Sequence, residues 1–369
     1  MRVLVTTFPG YGHFHPVAPL ALALQRDGHD VRVATDSAFA SWVRACGLDA
    51  IEAGLSGNES LRRAAHLPPG ERAIQQFTTV AVPTMVRDVL AASEHWRPEL
   101  VINEEGEHAA PLLATMLDLP CATHSWPAPA RPLDEREARQ QALGAVWREF
   151  GVKSAPRLYG ERYLDCCPPP LQMLDSISGA VTVRPTVFDG PPDPARLSIL
   201  DDLRPPVALV TLGTVGLFAR AAVLQRLVDA VATVAGTVLV ATGPHPADVI
   251  PTRPTVRAIR YIPLSKVLPI TDLAVSHGGA STMVACVLHG VPHLVAPQGA
   301  PSQRRAADTV DALGLGIALD DELPDSASVA AAAASLLADP AVRDRIDAVR
   351  SALDLLPGPD DVARLVTTM

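Results

Sequence analysis

The chain lacks most of what would commit it to a membrane, a metal or a nucleic acid. No uninterrupted apolar run approaches the ~18–20 residues of a bilayer span. The opening MRVLVTTFPG carries no apolar core with a small-residue cleavage site. A cytoplasmic protein is the expectation. The five cysteines, Cys46, Cys121, Cys166, Cys167 and Cys286, form no CxxC pair and no metal-ligand spacing with histidine, so they read as buried free thiols. Lysine and arginine total 31 against 40 aspartates and glutamates, a net charge of −9 that argues against a nucleic-acid partner. A third glycine is missing from the first loop: Gly10-Tyr11-Gly12-His13-Phe14-His15 puts a ring where a G-x-G-x-x-G dinucleotide loop needs glycine. That speaks against a nicotinamide oxidoreductase.

What is present is an alternation of short apolar runs with helical patterns. RVLVTT (2–7), DVRVAT (30–35), LDAIEA (48–53), ELVIN (99–103), CATHS (121–125) and AVTVR (180–184) read as strands. Helix-like stretches at 16–28, 37–47 and 72–96 separate them, while 54–70 and 126–136 show no clear period. A proline- and turn-rich segment, 185–206, follows. The alternation then restarts with VALVTLG (207–213), TVLVAT (237–242), VRAI (256–259), DLAVS (272–276), HLVAP (293–297) and GIAL (316–319). Apolar strands between helices are the mark of parallel sheets buried on both faces. The 369 residues, 48% of them apolar, suffice for two such domains. The expected fold is α/β, with two facing doubly wound, Rossmann-like parallel-sheet domains. The boundaries are 1–190, a linker 191–206, 207–355, and a C-terminal helix 356–369 packing back on the first domain. Ligands of such sheets bind at the carboxyl ends of the strands.

Two loops carry candidate chemistry. In DLAVSHGGASTMVACVLHGVPHLVAP (272–297) a strand ends at Ser276, His277 and two glycines follow, and Ser281-Thr282 open an apolar helix. Free helix N-terminal N–H groups, unobstructed glycines, hydroxyls and one imidazole make an anion site. The alternative is a tight turn with Ser281 as a simple N-cap. In PGYGHFHPVAPL (9–20), His13 stands between a strand end and a helix with Pro16 in its early turns. A neutral histidine there suits general-base work near pH 7, or it is a structural residue of a helix-entry turn. Phe77, Trp126 and Trp147, within the regions 54–80 and 126–165, are candidates to line an apolar pocket, with core packing as the competing reading for each. The acidic pairs Asp201-Asp202 and Asp320-Asp321 read as caps and solvated charges.

HGGAST with HGVPHLVAPQGAPSQRRAADTV (289–310), VTLGT (210–214), RYIPLSKVLP (260–269) and PGYGHFHP together resemble the nucleotide-sugar glycosyltransferases of B-type fold. The likeness is to the bacterial natural-product branch that glycosylates antibiotics, and it spans nearly the whole chain. The resemblance implies an inverting transfer with His13, in G-H-x-x-P, as catalytic base. It implies a carboxylate at the end of a later strand to orient that base: Glu104, with Glu105 and Glu107 as alternatives in PELVINEEGEHAAP. On the donor side it implies Gly12, Gly213 and Thr214, with Tyr261 stacked on the pyrimidine and the Ile262 backbone at the base edge. The loop His277, Gly278, Gly279, Ala280, Ser281 and Thr282 would hold the diphosphate.

Two positions depart from the family pattern. Ser276 stands where a first histidine often precedes the glycines, and Ser302-Gln303 stands where an acidic residue followed by glutamine grips the sugar hydroxyls. Losing that carboxylate removes a strong hydroxyl acceptor and points to a deoxyhexose on dTDP, with UDP less favoured. No metal is required by this scheme. The expected partners are a nucleotide-sugar and a small hydrophobic acceptor, with no nucleic acid and no stable membrane insertion; a homodimer stays open. The competing readings are a nucleotide-sugar epimerase or hydrolase on the same fold, and a catalytically silent helper protein.

Overall fold

Both halves of the chain build one parallel sheet each. The computed structural model describes residues 1–172, 177–191, 197–251, 253–320 and 322–369. Residues 192–196 of the expected linker and Asp321 of the second acidic pair lie outside the described residues. Two compact units emerge: Met1–Pro168 with Leu174–Pro185 and Leu356–Met369, and Pro169–Met173 with Thr186–Leu355. Among the described residues no helix is long and apolar enough to cross a membrane.

The first unit holds seven parallel strands: β1 (Arg2–Thr6), β2 (Asp30–Thr35), β3 (Asp49–Glu52), β4 (Leu100–Glu104), β5 (Cys121–His124), β6 (Arg162–Asp165) and β7 (Val181–Thr182). Their order is β3-β2-β1-β4-β5-β6-β7. β4 is buried at every position, so Leu100, Val101 and Ile102 form an unbroken apolar run before the buried polar pair Asn103 and Glu104 at its carboxyl end. A core of Leu4, Val86, Val101, Leu112, Leu143 and Trp147 packs on this sheet. The C-terminal helix Pro359–Val366 lies against the first helix, Tyr11–Arg26, in the same unit. Arg184 N donates to Pro357 O at 2.8 Å just before it.

The second unit repeats the pattern with β8 (Val207–Thr211), β9 (Thr237–Ala241), β10 (Val256–Ile259), β11 (Leu273–Ser276), β12 (His293–Val295) and β13 (Gly316–Ala318). Its order is β10-β9-β8-β11-β12-β13, all parallel. In each sheet the strand order reverses once, between β1 and β4 and between β8 and β11. Adjacent loops there diverge to opposite faces, leaving a crevice at the carboxyl edge.

Three local features differ from the sequence expectation. Residues 57–64, expected to be irregular, form the helix Gly57–Ala64, capped by Ser56 Oγ accepting from Glu59 N at 3.2 Å. Its mean hydropathy is too polar to show an apolar period, but Ser56-Gly57-Asn58-Glu59 fits the S-x-x-E capping pattern. The long helix expected over 72–96 is two α-helices, Pro69–Gln75 and Val82–Ser93, joined by a π-helical turn at Gln76–Val80. Strand β6 is an addition, hidden in the short ERYLDCC segment. Of the acidic pairs, Asp201 and Asp202 offer their backbone carbonyls to Arg257, and Asp320 is almost fully exposed.

Candidate active site

The first site grows from the crevice between β1 and β4. Gly10, with an extended backbone and no side chain, starts the helix Tyr11–Arg26 by accepting from His13 N and Phe14 N at 3.1 and 3.0 Å. This sets His13 in the first turn, beside the carboxyl end of β4. His13 Nδ1 lies 2.9 Å from Glu104 Oε1. Glu104 is fully buried while His13 keeps 19% of its side-chain surface. The same oxygen accepts from Phe8 N at 3.1 Å, and Oε2 accepts from Gly106 N at 2.7 Å and Trp126 Nε1 at 2.6 Å. Burial alone would push this carboxyl up, but the His13 imidazole and the Gly106 and Phe8 amides outweigh it and hold it below the usual glutamate range. A carboxylate with four donors cannot turn. It fixes the His13 proton on Nδ1 and leaves the Nε2 lone pair outward, where no described residue bonds it.

The three neighbouring glutamates thus part company. Glu105 pairs with buried Arg131 at 2.5 Å, and its charge keeps that guanidinium protonated against the cost of burial. Arg131 also lies over the Trp126 ring, 4.7 Å from its centroid. Glu107 accepts from Thr6 Oγ and from the Ala109 and Ala110 amides at 2.8 and 3.3 Å, which holds the start of the helix Ala110–Leu117. Burial pushes its carboxyl up to about 7, with Glu104's charge adding and the Thr6 and Ala109 bonds opposing.

Aromatic rings enclose the imidazole. Phe77 stacks on it at 5.7 Å and 25°, Phe8 sits tilted at 5.1 Å, and Trp126 meets it edge-on at 4.8 Å. Phe77 belongs to the π-helical turn, whose extra residue re-aims the side chains of an otherwise regular helix. Trp147, expected with these two, is a correction: it is 1% exposed and packs in the core, so it offers no surface to an acceptor. Gly106 allows the assembly. A Cβ there would stand 2.4 Å from Trp126 Cζ2 and 3.0 Å from His13 Cε1. Gly12 is exposed on the first helical turn, and Pro16, lacking an N–H, cannot donate to its carbonyl. A separate cavity of about 310 Å³ in this unit is lined by Leu133, Gln140, Tyr159 and Tyr163 among others, but not by His13, Phe77 or Trp126. Phe8, Gly106 and Arg131 were not anticipated. The nearest signals were the Phe-Pro pair after β1 and the glycine between two glutamates.

The second site grows from the crevice between β8 and β11. His277 follows β11 and is wedged between two glycines: a Cβ on Gly213 or Gly279 would come within 2.6 or 2.7 Å of its Cε1. Burial pulls this imidazole down to about 4, so it is neutral at pH 7. Its Nδ1 is buried without a partner. A bare lone pair is cheaper to bury than an unpaired N–H, so the proton belongs on Nε2, a donor. The helix Ala280–Leu288 starts at N-cap Gly279, not at Ser281, and has no side-chain cap, so the first-turn amides of Ala280, Ser281 and Thr282 have no capping acceptor. Ser276 Oγ accepts from Gly278 N at 3.1 Å and lies 2.8 Å from Nε2 of His293. A histidine therefore does stand under this loop, supplied by β12.

Thr214 is exposed just past β8. The Tyr261 hydroxyl donates to Asp189 O at 2.9 Å, and the Ile262 side chain is in the core while no described group bonds its backbone. Gln303 is buried and its Oε1 accepts from Gln298 N at 2.7 Å, which commits that oxygen to the loop and leaves the amide NH₂. Ser302 is half-buried in the first turn of the helix Pro301–Ala312. Among the described residues no three His, Cys, Asp or Glu side chains converge as a metal site would require.

Comparison with known proteins gives the family of the chain. Residues 225–369 match the family model described as erythromycin biosynthesis protein CIII-like, C-terminal domain. The chain is 33% identical to the L-demethylnoviosyl transferase of Streptomyces niveus, over 92% of this chain and 90% of that protein. It is 30% identical to the elloramycin glycosyltransferase ElmGT of Streptomyces olivaceus, over 100% and 97%. Among solved structures, the glycosyltransferase SsfS6 of Streptomyces sp. SF2575, complexed with thymidine diphosphate, superposes with a TM-score of 0.80 at 26% identity, covering 100% of both chains. The chain belongs to the nucleotide-sugar-dependent natural-product glycosyltransferases of bacteria, enzymes of B-type fold that act on antibiotics.

Proposed function

We propose that the enzyme moves a deoxyhexose from a dTDP-sugar to a hydroxyl of a hydrophobic natural-product aglycone, with inversion, and that His13 is the base and Glu104 its orienting carboxylate. The observation that carries the reading is the 2.9 Å His13–Glu104 contact with Nε2 left unbonded. In the step, Nε2 takes the acceptor proton as that oxygen forms its bond to the anomeric carbon. The bond from that carbon to the diphosphate oxygen breaks, and the nucleoside diphosphate departs with the electron pair. The buried Glu104 carboxylate stabilises the imidazolium formed. His277 Nε2 and the amides of the Ala280–Thr282 turn receive the charge on the leaving group. One displacement inverts the configuration.

The choice of dTDP is supported by the thymidine diphosphate held by SsfS6. The choice of a deoxysugar is supported by Ser302 and by Gln303, whose amide oxygen is already engaged. A sugar with fewer hydroxyls asks for fewer acceptors. The aromatic wall of Phe8, Phe77 and Trp126 supports an apolar acceptor.

The test is His13→Ala with a panel of dTDP- and UDP-sugars. Transfer falls by at least ~10²-fold while donor binding stays, as for loss of a general base. Unchanged turnover removes His13 from the mechanism, and tighter binding of UDP-glucose than of dTDP-deoxysugars overturns the donor assignment.

A further inference from the structure

The carboxyl edge of the first sheet carries a second histidine that the proposed mechanism does not use. β5 runs parallel to β4 with His124 in register with Glu104, so the two side chains leave the same edge toward the same face, one strand spacing apart. His124 is 7% exposed. Its Nδ1 lies 2.8 Å from the Ser125 carbonyl. A carbonyl only accepts, so Nδ1 carries the proton and Nε2 is a bare lone pair. The carbonyl itself is held in place: Ser125 N donates to Leu164 O at 2.9 Å, and Ser125 Oγ accepts from Cys166 N at 2.9 Å. Burial pulls this imidazole down to about 4, against the smaller pulls of the Ser125 bond and the Glu104 charge, so it stays neutral under working conditions. No described residue bonds Nε2.

The side chain is largely buried, but Nε2 is not among the atoms buried without a partner, so this acceptor of fixed tautomer is open to a donor from outside the chain. We propose that His124 Nε2 accepts a hydrogen bond from the sugar acceptor, and so selects aglycones with a second O–H or N–H close to the hydroxyl that receives the sugar. The inference rests on His13 marking the acceptor site. It adds a requirement on acceptor chemistry: a vicinal diol, an ortho-dihydroxyaryl or an equivalent pair.

The experiment compares binding of 2,3-dihydroxynaphthalene and 2-naphthol, two flat apolar probes that differ by one hydroxyl. The wild-type enzyme binds the diol about fivefold more tightly, the scale of one net hydrogen bond. In His124→Phe, which keeps a flat ring and deletes the lone pair, the preference falls within twofold. Thermal melting and thymidine diphosphate binding monitor folding of the variant. Independently of any substitution, the Nε2 resonance in wild-type ¹⁵N-histidine spectra shifts with the diol and not with 2-naphthol. Equal affinities in the wild type, no binding of the diol, a preference that survives in His124→Phe, or an Nε2 resonance unmoved by the diol each overturns the proposal. Because the readout is acceptor binding and not turnover, it stands or falls separately from the His13→Ala test.

Discussion

The two crevices are built alike and equipped differently. In the first sheet Thr6 pairs with Asn103, and the next residue is Glu104; in the second, Thr211 pairs with Ser276, and the next is His277. The same topological position thus carries a carboxylate in one unit and an imidazole in the other. Glu104 is held by four donors and in turn fixes His13. His277 has no partner on its buried nitrogen and is positioned by shape, between Gly213 and Gly279. In the proposed reading one crevice takes a proton with a charge behind it, and the other offers neutral donors to an anion. Topology provides the crevice, and one or two residues at the strand ends provide its sign.

Substitutions should separate these two designs. Glu104→Gln replaces an acceptor-only group by one that turns an NH₂ toward N–H donors and loses the charge behind His13. Transfer is expected to drop by ~10²–10⁴-fold, and stability by about 1–3 kcal/mol, read by single-turnover rates and by melting. A variant with near-normal rate breaks the comparison. His277→Ala removes one proposed donor to the diphosphate and is expected to weaken nucleotide binding about 10–100-fold, the scale of a charge-assisted bond. Calorimetry of thymidine diphosphate binding reads this, and acceptor affinity should not change.

Gly106→Ala sharpens the first design. The added methyl must displace Trp126 or His13, so the turnover rate is expected to fall about tenfold, with an overpacking cost of ~1–3 kcal/mol, while donor affinity holds. Glu107→Gln should have the smallest effect on rate. Its carboxyl is raised to about 7 in the fold, above the unfolded value near 4.3, so the folded state binds the extra proton between those values. Its contribution to stability is therefore full below about pH 4.3 and lost as pH rises through 7. The amide mimics the protonated acid, so the variant should melt at higher temperature than the wild type at pH 8 and equally at pH 4. An equal melting temperature at both would show that Glu107 is not buried as described.

Much of this was legible residue by residue. All six strands of the second sheet appear as apolar runs, most plainly β8, β9, β11 and β12, which are buried at every position and have little choice of side chain, while the edge strands β10 and β13 are only partly buried. HGGAST was readable because close backbone approach at a helix start needs those residue types at that spacing, whereas G-H-x-x-P stood out only through its resemblance to the family. Strand β6 escaped because four residues, RYLD, carry no period. Phe77 and Trp126 both meet His13, and Trp147 does not, though all three were candidates on the same ground of apolar character. Hydrophobicity cannot tell a ring that faces a site from one that faces the core.

By itself the sequence determined the two βα arrays, the loops that end at His13 and His277, and the run of three glutamates near one strand end. These follow from local rules of periodicity, helix initiation and glycine stereochemistry. Only the tertiary structure decided which glutamate serves the histidine, that a π-helical turn brings Phe77 onto the imidazole, and that His293 closes on Ser276 beneath the second loop. Those choices join residues 17 to 91 positions apart, through hydrogen-bond geometry that no local pattern encodes.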